Sequence, residues 1–291
     1  MWPVDVRHSL DFLAFEADFS RPELVAVYDE LPLWSAMFGL LLLEEVPLHG
    51  VRAALDVGCG TGFPLIEIAE RLGPTVELHG VDVWAAGLRR ARDKAVARGT
   101  PNVALHESSA AAMPFAAESF DLILSNLGVN NFDDREAAIG ECRRVARRGA
   151  TIALTTNLQG HMSEFYAVFA DVLREQGDEE SLGRLQQHIE HRATVPGLRE
   201  LLERHGFTIR RIVERDGLMR FADGTALLNH HFIKLGFLDG WKGIAPADPS
   251  LTFERLLARL DAVARRAGEL RLTIPMAYVE ATAGGPSATP T

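Results

Sequence analysis

Cysteine is nearly absent: Cys59 and Cys142 are the only two in 291 residues, and neither a CxxC nor a Cys/His metal spacing occurs. That excludes a disulfide framework and a zinc knuckle, and it points to an intracellular chain. None of the ten histidines makes HExxH, and no carboxylate stands at a spacing suited to a dinuclear centre, so no metal is expected. Basic charge is in deficit, with 30 Lys and Arg against 40 Asp and Glu, a net of -10. Such a chain has no general attraction to nucleic acid or anionic lipid, and neither is expected as a partner. Long apolar runs are missing too. The longest, residues 37–43, is far below the roughly 20 residues a membrane helix needs. Met1-Trp2-Pro3-Val4-Asp5 lacks the basic flank and apolar run of a signal peptide. A soluble cytoplasmic protein, monomer or homodimer, is the expectation. Only 24% of residues are charged and 47% are apolar, which excludes a mostly disordered chain. The length is near the upper limit of a single core and favours one domain with an elaborated lid.

What is present begins with helical pattern. Pro22 opens PELVAVYDEL, with Leu24, Val27, Tyr28 and Leu31 on one 3.6-period face, and residues 35–46 are apolar on nearly every side. From Val51 the pattern changes. Short apolar runs AALDVG (53–58), VELHGVDV (76–83), NVALHE (102–107), DLILSN (121–126) and ATIALTT (150–156) alternate with helix patterns at 64–72, 86–98 and 134–146. Strands without polar alternation belong to a sheet buried on both faces, and this alternation predicts an α/β, doubly wound, mostly parallel sheet. Helical patterns follow at 162–175, 179–191 and 197–204, then a strand at 206–214, two helical stretches within 217–270 and a last strand at 270–281. The expected division is an amino-terminal helical lid (1–50), an α/β core (51–216), a helical insertion acting as a substrate lid (217–270), the last core strand (271–282) and a disordered tail (283–291).

The sharpest signal is Leu55-Asp56-Val57-Gly58-Cys59-Gly60-Thr61-Gly62-Phe63-Pro64. A buried strand ends at Gly58, and three alternate glycines let the backbone turn tightly and approach a ligand. Pro64 is tolerated in the first turn of the helix that follows. The loop therefore forms a ligand shelf at the carboxyl end of the first strand. Its spacing is GxGxG rather than the GxGxxG of dinucleotide turns, and it lacks the Gly-Lys-Ser/Thr of a phosphate loop. The second strand places Asp82 twenty residues beyond Gly62. An acid there accepts hydrogen bonds from a ribose diol, so the ligand carries a ribose but need not carry a phosphate.

In these motifs the chain resembles the class I S-adenosylmethionine-dependent methyltransferases of small-molecule type. ALDVGCGTG is similar to the family's first motif and Asp82 to its ribose-binding acid. SAAAMPFAAESFDLILSN (109–126) is similar to its third- and fourth-strand region, and ECRRVARRGATIALTT (141–156) to its fifth. Two departures stand out: Ser109 occupies the place of an adenine-contacting Asp, and Arg148-Gly149-Ala150 replaces Pro-Gly-Gly. The resemblance implies a seven-stranded sheet with the last strand antiparallel. It implies S-adenosyl-L-methionine as cofactor, S-adenosyl-L-homocysteine as product, no metal, and in-line methyl transfer to an enclosed small-molecule acceptor by proximity catalysis. It implies cofactor contacts from Asp56, which would reach the methionine amino group, and from Gly58, Cys59, Gly60, Gly62, Asp82, Val83, Trp84, Ser109, Ala110 and Asn126.

Acceptor residues are less constrained. Asn130 and Asn131 follow the fourth strand, and Tyr28 and Trp34 head a set of aromatics outside the sheet motifs. Most of that set is expected in the core and a few residues in an apolar acceptor pocket. His161 follows the fifth strand and is a candidate base, as are His230 and His231 in LLNHHFIKLGFL. On one helix the latter two would point about 100° apart, so at most one would face a pocket. His188 and His191 read as a solvated helix face. The rival readings are other chemistry with the same cofactor, a non-catalytic cofactor-binding or scaffolding protein, and a nucleotide-sugar or NAD enzyme.

Overall fold

The computed structural model describes residues 6–30 and 34–284. The expected tail beyond residue 284 and the face residue Leu31 lie outside the described residues. After a 3-10 helix (Val6–Ala14) come α1 (Pro22–Glu30), α2 (Ser35–Glu45), β1 (Ala53–Val57), α3 (Leu65–Leu72), β2 (Glu77–Asp82), α4 (Ala85–Arg98), β3 (Val103–Glu107), β4 (Phe120–Asn126), α5 (Arg135–Val145) and β5 (Ala146–Asn157). The chain continues through α6 (Ser163–Gln176), α7 (Glu179–Glu190), α8 (Val195–Arg204), β6 (Phe207–Phe221), α9 (Gly224–Asn229), α10 (His231–Gly236), α11 (Leu238–Ile244), α12 (Pro249–Ala267) and β7 (Leu270–Ala283).

The seven strands form one sheet in the order β3-β2-β1-β4-β5-β7-β6. β1 runs parallel to β2 and β4, β2 to β3, and β4 to β5. β7 runs antiparallel to β5, from Thr151↔Thr282 to Asn157↔Met276. The expected doubly wound sheet with a reversed last strand is the observed one. Strand order reverses between β1 and β4, so their carboxyl ends frame the crevice where open α/β sheets bind ligands. The central strands are apolar on both sides: all five residues of β1 are buried, as are six of seven in β4. Leu55, Val57, Ile123, Ile152 and Leu154 share one core cluster, each side chain contributing about 1.5–3 kcal/mol on burial.

Arg148-Gly149-Ala150 is no simple turn. It lies inside β5, where the register jumps from Phe120↔Ala146 to Leu122↔Thr151. Gly149 takes φ 80° there, a backbone state suited to the extra residues of a bulge.

Two compact units divide the chain. One comprises Phe19–Leu158, Ala193–Arg215 and the residues from Met276 onward, and it holds β1 to β5 with α1 to α5 and α8. The other comprises the residues up to Asp18, Gln159–Arg192 and Asp216–Pro275, and is mainly helical. Thus α6 and α7 group with the 216–275 helices, and the amino-terminal stretch divides at Asp18. The helical unit has its own aromatic core, with Phe165 stacked on Trp241 at 4.1 Å and Phe253 edge-on to Phe12 at 5.9 Å. Among the described residues no helix is long and apolar enough to cross a membrane.

One local expectation fails. His230 and His231 do not share a helix: His230 has φ -61° and ψ 128°, an extended residue that closes α9 before α10 starts at His231. The 100° spacing of a continuous helix therefore does not apply to them.

Candidate functional site

The site grows from the end of β1. Gly58, Gly60 and Gly62 all adopt left-handed backbone, with φ 80°, 51° and 93°. The amides of Gly58 and Cys59 donate to Val81 O at 2.8 and 3.2 Å, which holds the loop against the end of β2. At Gly62 a Cβ would stand 2.8 Å from Ile66 Cδ1 and 3.1 Å from Ala91 Cβ, so only glycine lets the loop pass α4. Nothing lies within 4 Å of a Cβ built on Gly60, whose surroundings are open. Gly80 on β2, which sequence reasoning did not single out, has a matching role. A Cβ there would fall 2.7 Å from Cys59 Sγ and 2.6 Å from Leu65 Cδ2.

Two carboxylates flank this loop. Asp82 accepts the Gly60 amide on Oδ2 and the Trp84 amide on Oδ1, both at 2.8 Å. Each oxygen keeps a lone pair for another donor. Asp56 is fully buried, and neither of its oxygens has a hydrogen-bond partner. Burial, then the charge of Asp82, pushes its pKa up to about 7. A buried acid without donors is costly unless it is neutral or meets a cation, so this residue fits a ligand carrying an ammonium group. The Cys59 thiol is also buried, and burial followed by Asp56 and Asp82 holds its pKa well above the ordinary value. It stays a neutral packing group.

Trp84 packs on α4, where a Cβ at Gly87 would meet its ring at 2.4 Å, and its Nε1 donates to Phe19 O at 2.8 Å. Tyr28 stands edge-on to it at 5.2 Å. Burial, then the charge of Asp82, raises the Tyr28 pKa. Tyr28, expected among acceptor residues, thus sits beside Asp82. Val83 at the same strand end is 70% exposed. The Ser108 amide donates to Asp82 O at 3.0 Å, which brings the following segment to this edge. There the exposed Ser109 uses its hydroxyl to accept the Ala111 amide at 3.2 Å, and Ala110 packs on the core.

At the end of β4 the amides are committed to the fold. Asn126 Oδ1 accepts Thr155 Oγ1 at 2.7 Å and its Nδ2 donates to Ser35 O at 3.2 Å. Asn130 Nδ2 donates to Asn157 O at 2.8 Å and its Oδ1 accepts the Ala193 amide at 3.1 Å. The exposed Asn131 donates to Leu127 O at 2.8 Å, and Trp34 is buried with its ring 5.3 Å from that of Phe38. Leu127 takes φ 67° and Gly128 follows. A Cβ on Gly58 would lie 3.6 Å from Gly128 Cα, so the ends of β1 and β4 meet glycine to glycine.

The three candidate histidines belong to the helical unit. His161 is buried, accepts Arg192 Nε at 3.2 Å on Nε2, and packs against Tyr166 and Phe237. Burial, then Arg192 and His188, pushes its pKa down to about 3, so it is a neutral and weak base. His230 packs on Phe221 at 5.4 Å and His231 on Phe15 at 5.8 Å; burial, then Lys234, lowers both pKa values. His188, expected on a solvated face, instead pairs its Nε2 with Tyr166 OH at 3.1 Å, and burial pushes its pKa to about 4. Among the described residues no group of three or more His, Cys, Asp or Glu is placed to hold a metal ion.

Comparison with known proteins bears on the same region. Residues 55–154 match a family model described as a methyltransferase domain. The chain is 34% identical over 136 residues to a demethylmenaquinone methyltransferase of Geobacillus kaustophilus, covering 45% of this chain and 58% of that protein. It is 34% identical over 133 residues to the aklanonic acid methyltransferase DauC of Streptomyces sp. (strain C5), covering 45% and 60%. The chain thus spans less than two thirds of the length of these curated relatives. A putative methyltransferase from Bacillus halodurans has the same fold, with a TM-score of 0.56 at 19% identity over 85% of this chain and 99% of that one.

Proposed function

We propose that residues 55–154, which match a methyltransferase-domain model, form a class I S-adenosylmethionine-dependent methyltransferase domain and that the protein methylates a small-molecule acceptor. The observation that carries the proposal is the pairing of the partnerless buried Asp56 with Asp82 around three left-handed glycines. That set suits a ligand with an ammonium at one end and a ribose diol at the other. When bound, S-adenosylmethionine supplies a methyl group already activated on a sulfonium.

The chain's own residues bind and orient. Asp56 pairs with the ammonium and becomes charged in doing so. Asp82 accepts the ribose hydroxyls on the lone pairs its two amide contacts leave free. Gly58, Cys59, Gly60 and Gly62 present their backbone, while Val83, Trp84, Ser109 and Ala110 border the base. Asn126 and Asn130 hold the end of β4 through their own hydrogen bonds. Holding the acceptor in line at about 3–3.5 Å is worth roughly 7–11 kcal/mol. A histidine with a pKa near 3 is poorly matched to proton abstraction at neutral pH, which favours catalysis by positioning over a base at His161. The names of the relatives, one acting on demethylmenaquinone and one on aklanonic acid, support a small organic acceptor.

Thermal melting tests the cofactor. S-adenosylhomocysteine raises the melting temperature with dose, as linkage requires of a ligand that binds the folded state, and NAD and ATP do not. Label from isotopic S-adenosylmethionine then appears in a component of a metabolite extract. A shift with NAD and none with S-adenosylhomocysteine defeats the reading.

A further inference from the structure

Phe63 of the glycine loop seats on α2, where a Cβ at Gly39 would fall 2.2 Å from its ring. Near the end of α1, the Asp29 carboxylate receives Arg90 Nε at 2.9 Å and Lys94 Nζ at 2.5 Å, both from α4. Only 9% of the Asp29 side chain is exposed, and those of Arg90 and Lys94 are 36% and 22% exposed. One carboxylate therefore joins α1 to α4. Burial pulls its pKa up, but Lys94 and Arg90 outweigh that and leave it below the ordinary range. The ring of its neighbour Tyr28 stands edge-on to Trp84, two residues past Asp82.

These contacts have a consequence for ligand exchange. A ribose at Asp82 lies beside Tyr28, and Tyr28 is carried by α1. The helix can yield at that point only by surrendering the Asp29 contacts. We infer that Asp29 is a positioning residue for the cofactor: its carboxylate latches α1 to α4, and the breaking of that latch governs cofactor exchange. The inference rests on the proposed function, since it takes S-adenosylmethionine and its product as the ligand. Asp29 itself touches no reacting atom.

The test is the dissociation rate of S-adenosylhomocysteine from the full chain, followed by stopped-flow fluorescence. Asp29→Asn removes the charge and speeds dissociation about tenfold, while Asp29→Glu restores part of the loss. Lys94→Met removes one of the two bonds to Asp29 and speeds dissociation about threefold. A role confined to fold stability would not move one further readout. Salt screens the latch, so raising ionic strength accelerates release from the wild type and leaves Asp29→Asn nearly unchanged. Wild-type rates in a folded Asp29→Asn overturn the inference. If Asp29→Asn does not fold, Lys94→Met decides alone, and a wild-type rate there overturns it. Failure of the wild type to bind S-adenosylhomocysteine is a separate result, which defeats the proposed function and the latch with it.

Discussion

Asp56 and Asp82 stand on neighbouring strands and have opposite hydrogen-bonding fates. Asp82 takes a backbone amide on each oxygen at 2.8 Å, whereas Asp56, fully buried, takes none. Asp82 also helps to hold the Asp56 proton in place, after burial. The free protein thus stores an unmet demand for positive charge beside its glycine loop.

Binding of an ammonium-bearing ligand should therefore expel a proton. With a folded pKa raised to about 7, Asp56 is largely protonated at pH 6 and must ionise to pair. Affinity for S-adenosylhomocysteine is expected to rise with pH up to about 7 and level off above it. Calorimetry at pH 6 in buffers of different ionisation enthalpy should report the released proton, and Asp56→Asn should abolish both effects. Because the folded pKa is raised, Asp56 costs stability as pH climbs from about 4 to 7, so Asp56→Asn should also melt higher than wild type at pH 8. Buffer-independent heats would remove Asp56 from the ligand site.

Asp82→Ala strips two amides of their acceptor as well as the ribose of its own. Affinity should fall at least about tenfold, from charge-assisted bonds worth about 1.5–3 kcal/mol each. Unlike a simple surface change, it should also lower urea stability, by about 1–3 kcal/mol, because the Gly60 and Trp84 amides are orphaned. Isothermal titration and urea unfolding measure the two losses separately. Unchanged affinity in a folded variant would exclude the ribose role.

Acid should weaken the helical unit in a defined window. His161 and His188 have folded pKa values pushed down to about 3 and about 4, while their unfolded values are near 6.5. The unfolded chain takes up protons first, so stability is full above about pH 6.5 and falls as pH drops toward the folded values, by up to about 1.4 kcal/mol per pH unit for each histidine. Urea midpoints measured from pH 7.5 to 5 should decline, and His161→Asn should decline less steeply. Asp56 contributes with the opposite sign over this window, so the deciding profile is that of Asp56→Asn, and a flat one would contradict the buried neutral assignment.

Backbone conformation at the cofactor shelf was legible because it is encoded locally. Alternate glycines, a buried strand before them and an acid twenty residues on specify a turn and a strand end wherever they occur. The parallel sheet follows from the same short-range patterns, whereas its reversed last strand was implied only by the family resemblance. Side-chain commitments were not legible. Asn126 spends its amide on Thr155 and Ser35, residues 29 and 91 positions away. His161 is neutral because burial and Arg192, 31 residues on, make it so. Asp29 carries no signal of its own until α1 lies on α4, 61 and 65 residues further along. A polar group's role depends on its partners and its desolvation, and both are set only when distant segments pack together. Sequence by itself determined the shelf and its two acids; tertiary packing decided which neighbouring polar groups remain available to a ligand and which are consumed in holding the fold.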